Sequence, residues 1–465
     1  TYDENLARFA PGRVLLYRLI EEQLENRNGK TLEFYTNATR DQADWSTFGC
    51  TIHNIQVFRN DIAASAFSLL KVFQRALRGR KKRRPPPDSL IPRANVKACD
   101  SVNAIATGNK KDGKLDQFAA RDSFEKSIDW FDLLHQQIYP DDPGVRFYVD
   151  DDGGFPTTIL PLRLTRRGRI KTVESLVNFY TSLYTPLQSR NSDPSAFREM
   201  LACATRDHGG AHVMRFYPMD PESPTYRALL NELQAIGWIS FKYFCFGNWF
   251  LRVTEGWDAY LKKRGVNLRS KIKRVSKKFV ATGGTLEIVT TPEGVEAAIA
   301  AFQEVYMASW KVPEPYPDFV PSLIRRLAPL GMLRLGIARL QGRPIAAQLW
   351  IVGDDKASIY KVAYHEDFAS YSPGTVLTAH LMQHVIEQDQ VREVDFLIGD
   401  DKYKQIWMSD RRERWGIIAF NPRTLIGFAL FVREVIARAT RSLRARIKAR
   451  FGETKAHGRP SKGDA

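Results

Sequence analysis

Apolar positions along this chain recur with two different spacings. Asp122–Tyr139 (DSFEKSIDWFDLLHQQIY) repeats at helical spacing, and RFYVDDDGGFPTTILPLRLTRRG then alternates around Asp-Asp-Asp-Gly-Gly, the pattern of a hairpin. The acidic tip lacks the ligand spacing of a calcium loop and reads as a turn. Pro224–Trp238 predicts a helix, and ISFKYFCFGNWFLRV after it a strand. In EGWDAYLKKRGVNLRSKIKRVSKKFVATGG, an apolar stripe of Leu261, Leu268, Ile272 and Val275 predicts a helix whose other faces are basic. Helices over VEAAIAAFQEVYMASW and FVPSLIRRLAPLG lead into LRLGIARLQGRPIAAQLWIVGDDKASIYKVAY, a three-stranded meander with turns at Gln-Gly and Gly-Asp-Asp. A helix opens at Pro373-Gly374, REVDFLI follows as a strand, and GDDKYKQIWMSDRRERWGIIAF supplies a short helix and a last strand. That order implies a mixed α/β (α+β) fold; there is no GxGxxG dinucleotide loop and no Walker loop.

The hydrophobic pattern also repeats. TYDENLARFAPGRVLLYRLIEEQLENRNGKTLEFYT lies without a gap over AYHEDFASYSPGTVLTAHLMQHVIEQDQVREVDFLI, pairing Pro11-Gly12 with Pro373-Gly374 and Glu25 with Glu387. The same offset brings Trp45 onto Trp407 and Phe58 onto Phe420. Two widely spaced copies are a duplicated segment, not a solenoid. The second copy has a long lead-in and the first almost none, and the chain begins with Thr. The expectation is therefore that it starts inside one lobe and carries a second one whole. Five segments follow: residues 1–78 as the carboxyl half of an upstream lobe; 79–100, with RGRKKRRPPP, as a basic, Pro-rich linker; 101–255 as a divergent lobe; 256–450 as the principal lobe; and 451–465 as a disordered tail.

Composition narrows the class. At 465 residues, 43% hydrophobic and 11% aromatic, the chain can build real cores. It has no uncharged apolar run long enough to span a bilayer. Cys50, Cys99, Cys203 and Cys245 lie far apart with no CxxC pair, which fits a reducing cytoplasm and offers no zinc framework. The balance of 69 Lys+Arg over 52 Asp+Glu, formally +17, favours an anionic partner: a phosphate-bearing co-substrate, nucleic acid or an acidic membrane surface.

Chemistry has two natural places. The Ser372-Pro373-Gly374-Thr375 turn joins strand to helix, where outward N–H groups and the helix dipole form an anion site; a plain structural turn would also want Pro and Gly. Gly399–Trp407 follows a strand, the end at which α/β folds place ligands. There Tyr403 could protonate a leaving thiolate and Lys404 could hold a phosphate or stabilise negative charge; Asp395 and Asp400 are possible bases, although Asp395 alternates with apolar neighbours and could equally pack or cap. His380 and His384 stand one helical turn apart but lack a third ligand, so no metal is expected. His208 and His212 read as loop residues, and there is no GxSxG elbow or Cys/His pairing.

AAQLWIV (Ala346–Val352), YKVAYHEDFASYSPGTVL (Tyr360–Leu377), EVDFLIGDDKYKQIW (Glu393–Trp407) and LRSKIKRVSKKF (Leu268–Phe279) resemble the GNAT-like acyltransferases. More narrowly, they resemble the cellulose-biosynthesis-associated (CelD/BcsL-like) acetyltransferases, relatives of the FemABX peptidyltransferases, over roughly residues 101–440. The resemblance implies tandem GNAT-like lobes with mixed, largely antiparallel central sheets flanked by helices. It implies acyl transfer from acetyl-CoA or another acyl-CoA, without a metal, to an amine or hydroxyl of a cell-envelope or exopolysaccharide precursor. Ser372, Pro373, Gly374 and Thr375 would then take the coenzyme A pyrophosphate. Lys404, Tyr403 and Asp395 would be catalytic, and Gln348, Tyr360, Arg269 and Trp407 would contact substrate. In the first copy Asp41-Gln42 replace Tyr403-Lys404, so that copy is expected to be inactive. Two alternatives remain open: aminoacyl transfer from tRNA, as in the FemABX enzymes, and a non-catalytic scaffold. The expected setting is the cytoplasm, with a polysaccharide synthase or the inner membrane face as further partners. Leu425–Ala439 and the basic stretch after it read either as a helix packed on the lobe or as an amphipathic helix on that membrane face.

Overall fold

A computed structural model describes residues 11–25, 95–107, 115–120, 123–152, 155–190 and 192–456. The chain divides into two compact units, Thr1–Ala64 and Ser65–Ala465. In the first, the described part is helix α1 (Pro11–Glu25). The rest of the expected upstream half-lobe, with Asp41, Gln42 and Trp45, lies outside the described residues.

The second unit opens with strand β1 (Asn95–Cys99), then α2 (Val102–Thr107), α3 (Ile128–Ile138), β2 (Val145–Asp152), β3 (Phe155–Arg167), β4 (Ile170–Ser175), β5 (Leu187–Gln188), α4 (Ala196–Asp207), β6 (Val213–Met219), α5 (Pro224–Ala235) and β7 (Ile239–Arg252). It continues with α6 (Trp257–Lys263), α7 (Val266–Ala281), β8 (Gly284–Val289), α8 (Val295–Met307), α9 (Phe319–Leu327), β9 (Leu333–Leu340), β10 (Arg343–Gly353), β11 (Lys356–Tyr364), α10 (Pro373–Glu387), β12 (Glu393–Asp395), α11 (Lys402–Trp407), β13 (Asp410–Phe420) and α12 (Leu425–Ala456). The ends of α1 and α10 are the residue pairs that the repeat alignment superimposes, Pro11 with Pro373 and Glu25 with Glu387.

The mixed α/β reading holds, with one continuous sheet instead of two. Its thirteen strands run β1-β2-β3-β4-β6-β13-β7-β12-β11-β10-β9-β8, with β5 paired to β3. Among the described strands only β4–β6 and β11–β12 pair in parallel, apart from an isolated parallel bridge Asn248↔Gly399. Each half is therefore an antiparallel meander, a helix, a strand parallel to the meander's last, a second helix and a long closing strand. The closing strands are exchanged: β7 of the first half pairs with β12, and β13 of the second pairs with β6. The two then pair with each other from Asp410↔Phe250 to Phe420↔Ile239.

Local chemistry explains the meander. Gln341 and Gly342 turn at φ 49° and 80°, and Asp354 and Asp355 both at 53°. Such left-handed pairs match the twist of two-residue hairpins. Along β9, Leu335 and Ile337 face one core while Ala338 and Leu340 face the other. The first core joins both halves, with Trp130 of α3 edge-on to Phe319 of α9 at 5.9 Å. The second packs α10 (Leu377, Leu381, Val385) and α7 (Leu268, Ile272, Val275, Phe279) over the other face. Gly336 lets α10 lie this close, since a Cβ there would sit 2.7 Å from Leu381 Cδ1.

Several boundaries shift from expectation. The basic helix read as one is two, α6 and α7, broken at Arg264-Gly265; Arg264 turns back over the Tyr260 ring at 5.0 Å. Strand β1 begins at Asn95, inside the stretch expected as linker, and α12 continues to Ala456, past the expected start of the tail. Phe431 and Val435 of α12 are buried with Val213 and Phe420, so the amino-terminal part of this helix packs on the sheet. Among the described residues no helix is long and apolar enough to cross a membrane.

Candidate active site

The parallel pairing of β11 with β12 stops after three residue pairs, the last being Ser358↔Asp395. Beyond it the strands part: β11 stays on β10 through Tyr364, while Phe396 turns its amide to the Trp249 carbonyl (2.9 Å). A cleft of about 690 Å³ opens in the gap, between Ile359, Tyr360, Lys361, Val362 and Tyr364 on one side and Phe396, Leu397, Ile398, Tyr403 and Lys404 on the other. The α10 turn (Gly374, Thr375) lies at its wall, with Trp310 and Lys311 from the α8–α9 connection and Phe179, Tyr180 and Ser182 from the first half of the chain. Along the parted edge of β11, backbone N–H and C=O groups no longer face a strand partner.

The predicted residues separate into those at the cleft and those that shape it. Tyr403, Lys404, Tyr360, Trp407, Gly374 and Thr375 line it; Asp395, Gln348, Arg269, Ser372 and Pro373 do not. Asp395 is corrected as a base. It is buried and accepts from Arg412 Nη2 (2.6 Å), Asn248 Nδ2 (2.5 Å) and the Leu397 amide (2.7 Å). Burial alone would raise its pKa; Lys356, Arg412 and these donors outweigh that and hold it below the usual aspartate value. Its task is visible in Leu397, a cleft-wall residue kept at φ 53° by Asp395 on its amide and by Asn248 on its carbonyl (2.8 Å). Such backbone strain persists only where its surroundings over-determine it.

Gln348 is likewise corrected as a substrate contact. Fully buried, it donates to the Gly374 carbonyl (3.1 Å) and Thr378 Oγ1 (2.8 Å) and accepts from Trp350 Nε1 (2.9 Å), so it ties the α10 turn to β10. Lys404 reaches the cleft but is 4% exposed, and its ammonium donates to the Phe396 and Ile398 carbonyls and pairs with Asp401 at 3.3 Å. An ammonium has three donors, and all three are committed. Burial lowers its pKa despite the neighbouring carboxylates. Tyr403 is half-exposed and edge-on to Phe396; desolvation and the Asp401 charge push its hydroxyl up to about 12, so it keeps its proton at neutral pH. Tyr360 donates to the Tyr180 carbonyl (3.3 Å). Asp400 is held by Arg411 (2.9 Å) and Trp249, away from the cleft lining.

Two features were missed by the sequence reading. Ser182 lines the cleft and donates to both oxygens of Glu125 (2.9 and 2.8 Å), a buried carboxyl whose pKa burial raises. The second is a cluster on the opposite wall. Lys361 pairs with Glu314 at 2.5 Å, Tyr180 donates to the same carboxylate, and Lys311 stands beside them. Nothing in SWKVPEP announced Lys311 or Glu314, because their significance comes from which strand they face. Among the described residues no group of three or more His, Cys, Asp and Glu could hold a metal ion.

The α10 turn offers less to an anion than its sequence promised. Pro373 has no N–H, and the Thr375 and Val376 amides turn back on the Ser372 carbonyl (3.0 and 3.2 Å). Only the Gly374 amide is not committed to that carbonyl, helped by the dipole of a 15-residue helix. The parted β11 edge offers a longer row of backbone groups. It can pair with an extended arm carrying amides, as an added strand would.

Comparison with known proteins gives one family match and several structural similarities. Residues 266–405 match the family described as Acetyltransferase (GNAT) domain, a stretch containing the meander, the α10 turn and the Tyr403-Lys404 pair. No curated protein matches the chain. Among solved structures, similarity extends to the C-terminal domain of a protein assigned as a lysylphosphatidylglycerol synthetase from Agrobacterium fabrum, at 15% identity over 70% of this chain and 95% of that one (TM-score 0.44). FemX is similar at 12% identity over 65% and 92% (TM-score 0.44). A tandem GNAT protein from the clavulanic acid biosynthesis pathway is similar at 13% identity over 70% and 99% (TM-score 0.39).

Proposed function

We propose that the chain is an acyltransferase that moves an acetyl or other acyl group from an acyl-CoA to an amine or hydroxyl of a cell-envelope or exopolysaccharide precursor. The observation that carries the reading is the parting of β11 from β12 inside the stretch that matches the acetyltransferase family. When bound, the thioester supplies an activated acyl group. The free edge of β11 holds the donor's amide-bearing arm, and the Gly374 amide at the start of α10 receives its phosphate end. A thioester carbonyl laid along the same edge meets backbone N–H donors, which stabilise charge developing on its oxygen. Tyr403 keeps its proton at neutral pH and supplies it to the departing sulfur. Ser182 accepts the proton that the nucleophile sheds and passes its own to Glu125, whose raised pKa suits a proton acceptor. Lys404, Gln348 and Asp395 are positioning residues on this reading, since they fix the two walls.

Calorimetric titration of acetyl-CoA into the full chain tests the donor. Binding in the micromolar range, lost in Thr375→Glu, which puts a negative charge at the turn, supports the reading. A folded protein that ignores acetyl-CoA and instead binds aminoacyl-tRNA with a steep salt dependence overturns it in favour of aminoacyl transfer.

A further inference from the structure

Three lysines line the cleft, and they are not equivalent. Lys404 has committed its donors to two carbonyls and Asp401, and Lys361 is closed by Glu314 at 2.5 Å. Lys311 has no carboxylate oxygen within 4.0 Å among the described residues. Its ammonium lies 5.6 Å from the Tyr306 ring and 5.9 Å from the Trp310 ring. Glu314, the carboxylate that attracts it, is already shared by Lys361, Tyr180 and Tyr306. Lys361 and Lys404 repel it, and the wall partly desolvates it. A cation kept in such a place lacks a counter-charge that the fold could easily have provided. Beside it stand flat apolar faces: Trp310, 51% exposed and 4.5 Å from Tyr364, and Phe179, 54% exposed. Rings bordering a cation form a site for a ring that carries an oxyanion.

We propose that Lys311, with Trp310 and Phe179, forms an acceptor subsite that takes a sugar ring bearing a phosphate or carboxylate. The inference rests on the acyltransferase reading and names the acceptor class for it. The oxyanion sits on Lys311 and the ring lies against Trp310 or Phe179. The group to be acylated is thereby directed toward Ser182 and the free edge of β11. Lys361 contributes field without a direct contact, since Glu314 stays on it.

The test titrates glucose 1-phosphate, glucuronate and methyl glucoside into the full chain at pH 7, reading calorimetry and tryptophan fluorescence, alongside Lys311→Met and Lys311→Arg. Coenzyme A is titrated separately into all three proteins. Expected is binding of at least one anionic sugar, weakened at least tenfold in Lys311→Met, largely kept in Lys311→Arg, and absent for methyl glucoside. Preference between the two anions tells phosphate from carboxylate. Equal binding by Lys311→Met, or no binding of either anion to the wild type, overturns the subsite. If coenzyme A still binds in that case, the donor reading stands without it. If anionic sugar binds but coenzyme A does not, the subsite stands and the donor reading falls. A Lys311→Met variant that loses coenzyme A affinity as much as sugar affinity assigns the lysine to the donor's phosphates and overturns the acceptor assignment.

Discussion

A cation held without a counter-ion should weaken the fold, and Lys311 allows that cost to be measured. Burial, with repulsion from Lys361 and Lys404, lowers its pKa from 10.5 to about 8, Glu314 offsetting only part of this. At about 1.4 kcal/mol per pH unit the difference corresponds to roughly 3 kcal/mol, and solvent reaching part of the stem trims it to about 2 kcal/mol. The sign follows from proton binding. Between pH 8 and 10.5 the unfolded chain holds the proton and the folded chain has shed it, so stability rises with pH across that window. Below pH 8 the whole penalty is present. Lys311→Met removes the charge and keeps the apolar stem. The variant should therefore be more stable than the wild type by about 2 kcal/mol at pH 7, and the gap should close above pH 10. Urea unfolding of both proteins at intervals from pH 6.5 to 10.5 gives the difference directly, because all other titrating groups are shared. A variant less stable than the wild type at pH 7, or a gap independent of pH, would refute the reasoning. A stabilising substitution at the wall of a cleft is the usual sign of a residue kept for function.

Lys404→Met strips the Phe396 and Ile398 carbonyls of their donor and should cost about 2 kcal/mol in urea unfolding; unchanged stability with a large loss of acetyl-CoA affinity would instead make Lys404 a ligand contact. Gly336→Val drives a side chain into Leu381 and Leu377 of α10 and should cost roughly 1–3 kcal/mol by overpacking, with a matching fall in melting temperature. Burial pushes the Cys245 thiol up to about 11. In a chain whose other cysteines are replaced by serine, its reaction with a disulfide reagent at pH 8 should be more than about tenfold slower than after unfolding in urea; equal rates would show that β7 does not shield it.

The elements read from the sequence were those whose periodicities were clean; β6 and β8 were not among them, and α6 and α7 were read as one. The β9–β11 meander could be read from Gln341-Gly342 and Asp354-Asp355, which have little use except as left-handed turns. The exchange of β7 and β13 could not, since strand order depends on pairings far apart along the chain, such as Glu393↔Arg252 and Phe420↔Val213, and leaves no local mark. The site was legible in part. Tyr403, Lys404, Gly374 and Thr375 do line a cleft. The apolar neighbours of Asp395 already pointed to packing or capping, but the motif did not show that the Lys404 ammonium is spent on its own backbone or that Leu397 is what Asp395 caps. Hydrogen-bond commitment belongs to the folded state, and a residue type reports only capacity. Lys311, Ser182 and Glu125 escaped notice for the converse reason: nothing in their own segments is unusual, and their chemistry comes from residues distant in the sequence that the fold places beside them.

The two halves share a topology, but among the described residues they differ beside the parallel strand pair, and the difference lies in one segment. In the second half β11 runs on past its parallel partner and leaves an edge open. In the first half β4 ends at Ser175, and the chain that follows folds back into the equivalent space. Tyr184 is fully buried there; its amide donates to the Pro218 carbonyl and its hydroxyl to the Pro161 carbonyl (2.9 Å), which closes the gap between β3 and β6. The same segment carries Phe179, Tyr180 and Ser182 across to the second half's cleft, where Ser182 brings Glu125 within reach and Tyr180 holds Glu314 on Lys361. This segment of the first half thus forms a wall of its neighbour's cleft. Exchange of the closing strands makes that wall rigid, because β13 is hydrogen-bonded to β6 and β7 together. A lobe retained only as a relic would not need to present a serine, a buried carboxyl and two aromatic rings to the other lobe's open strand. On the proposed reading, that convergence has the acceptor gripped between the halves and the donor held by the second.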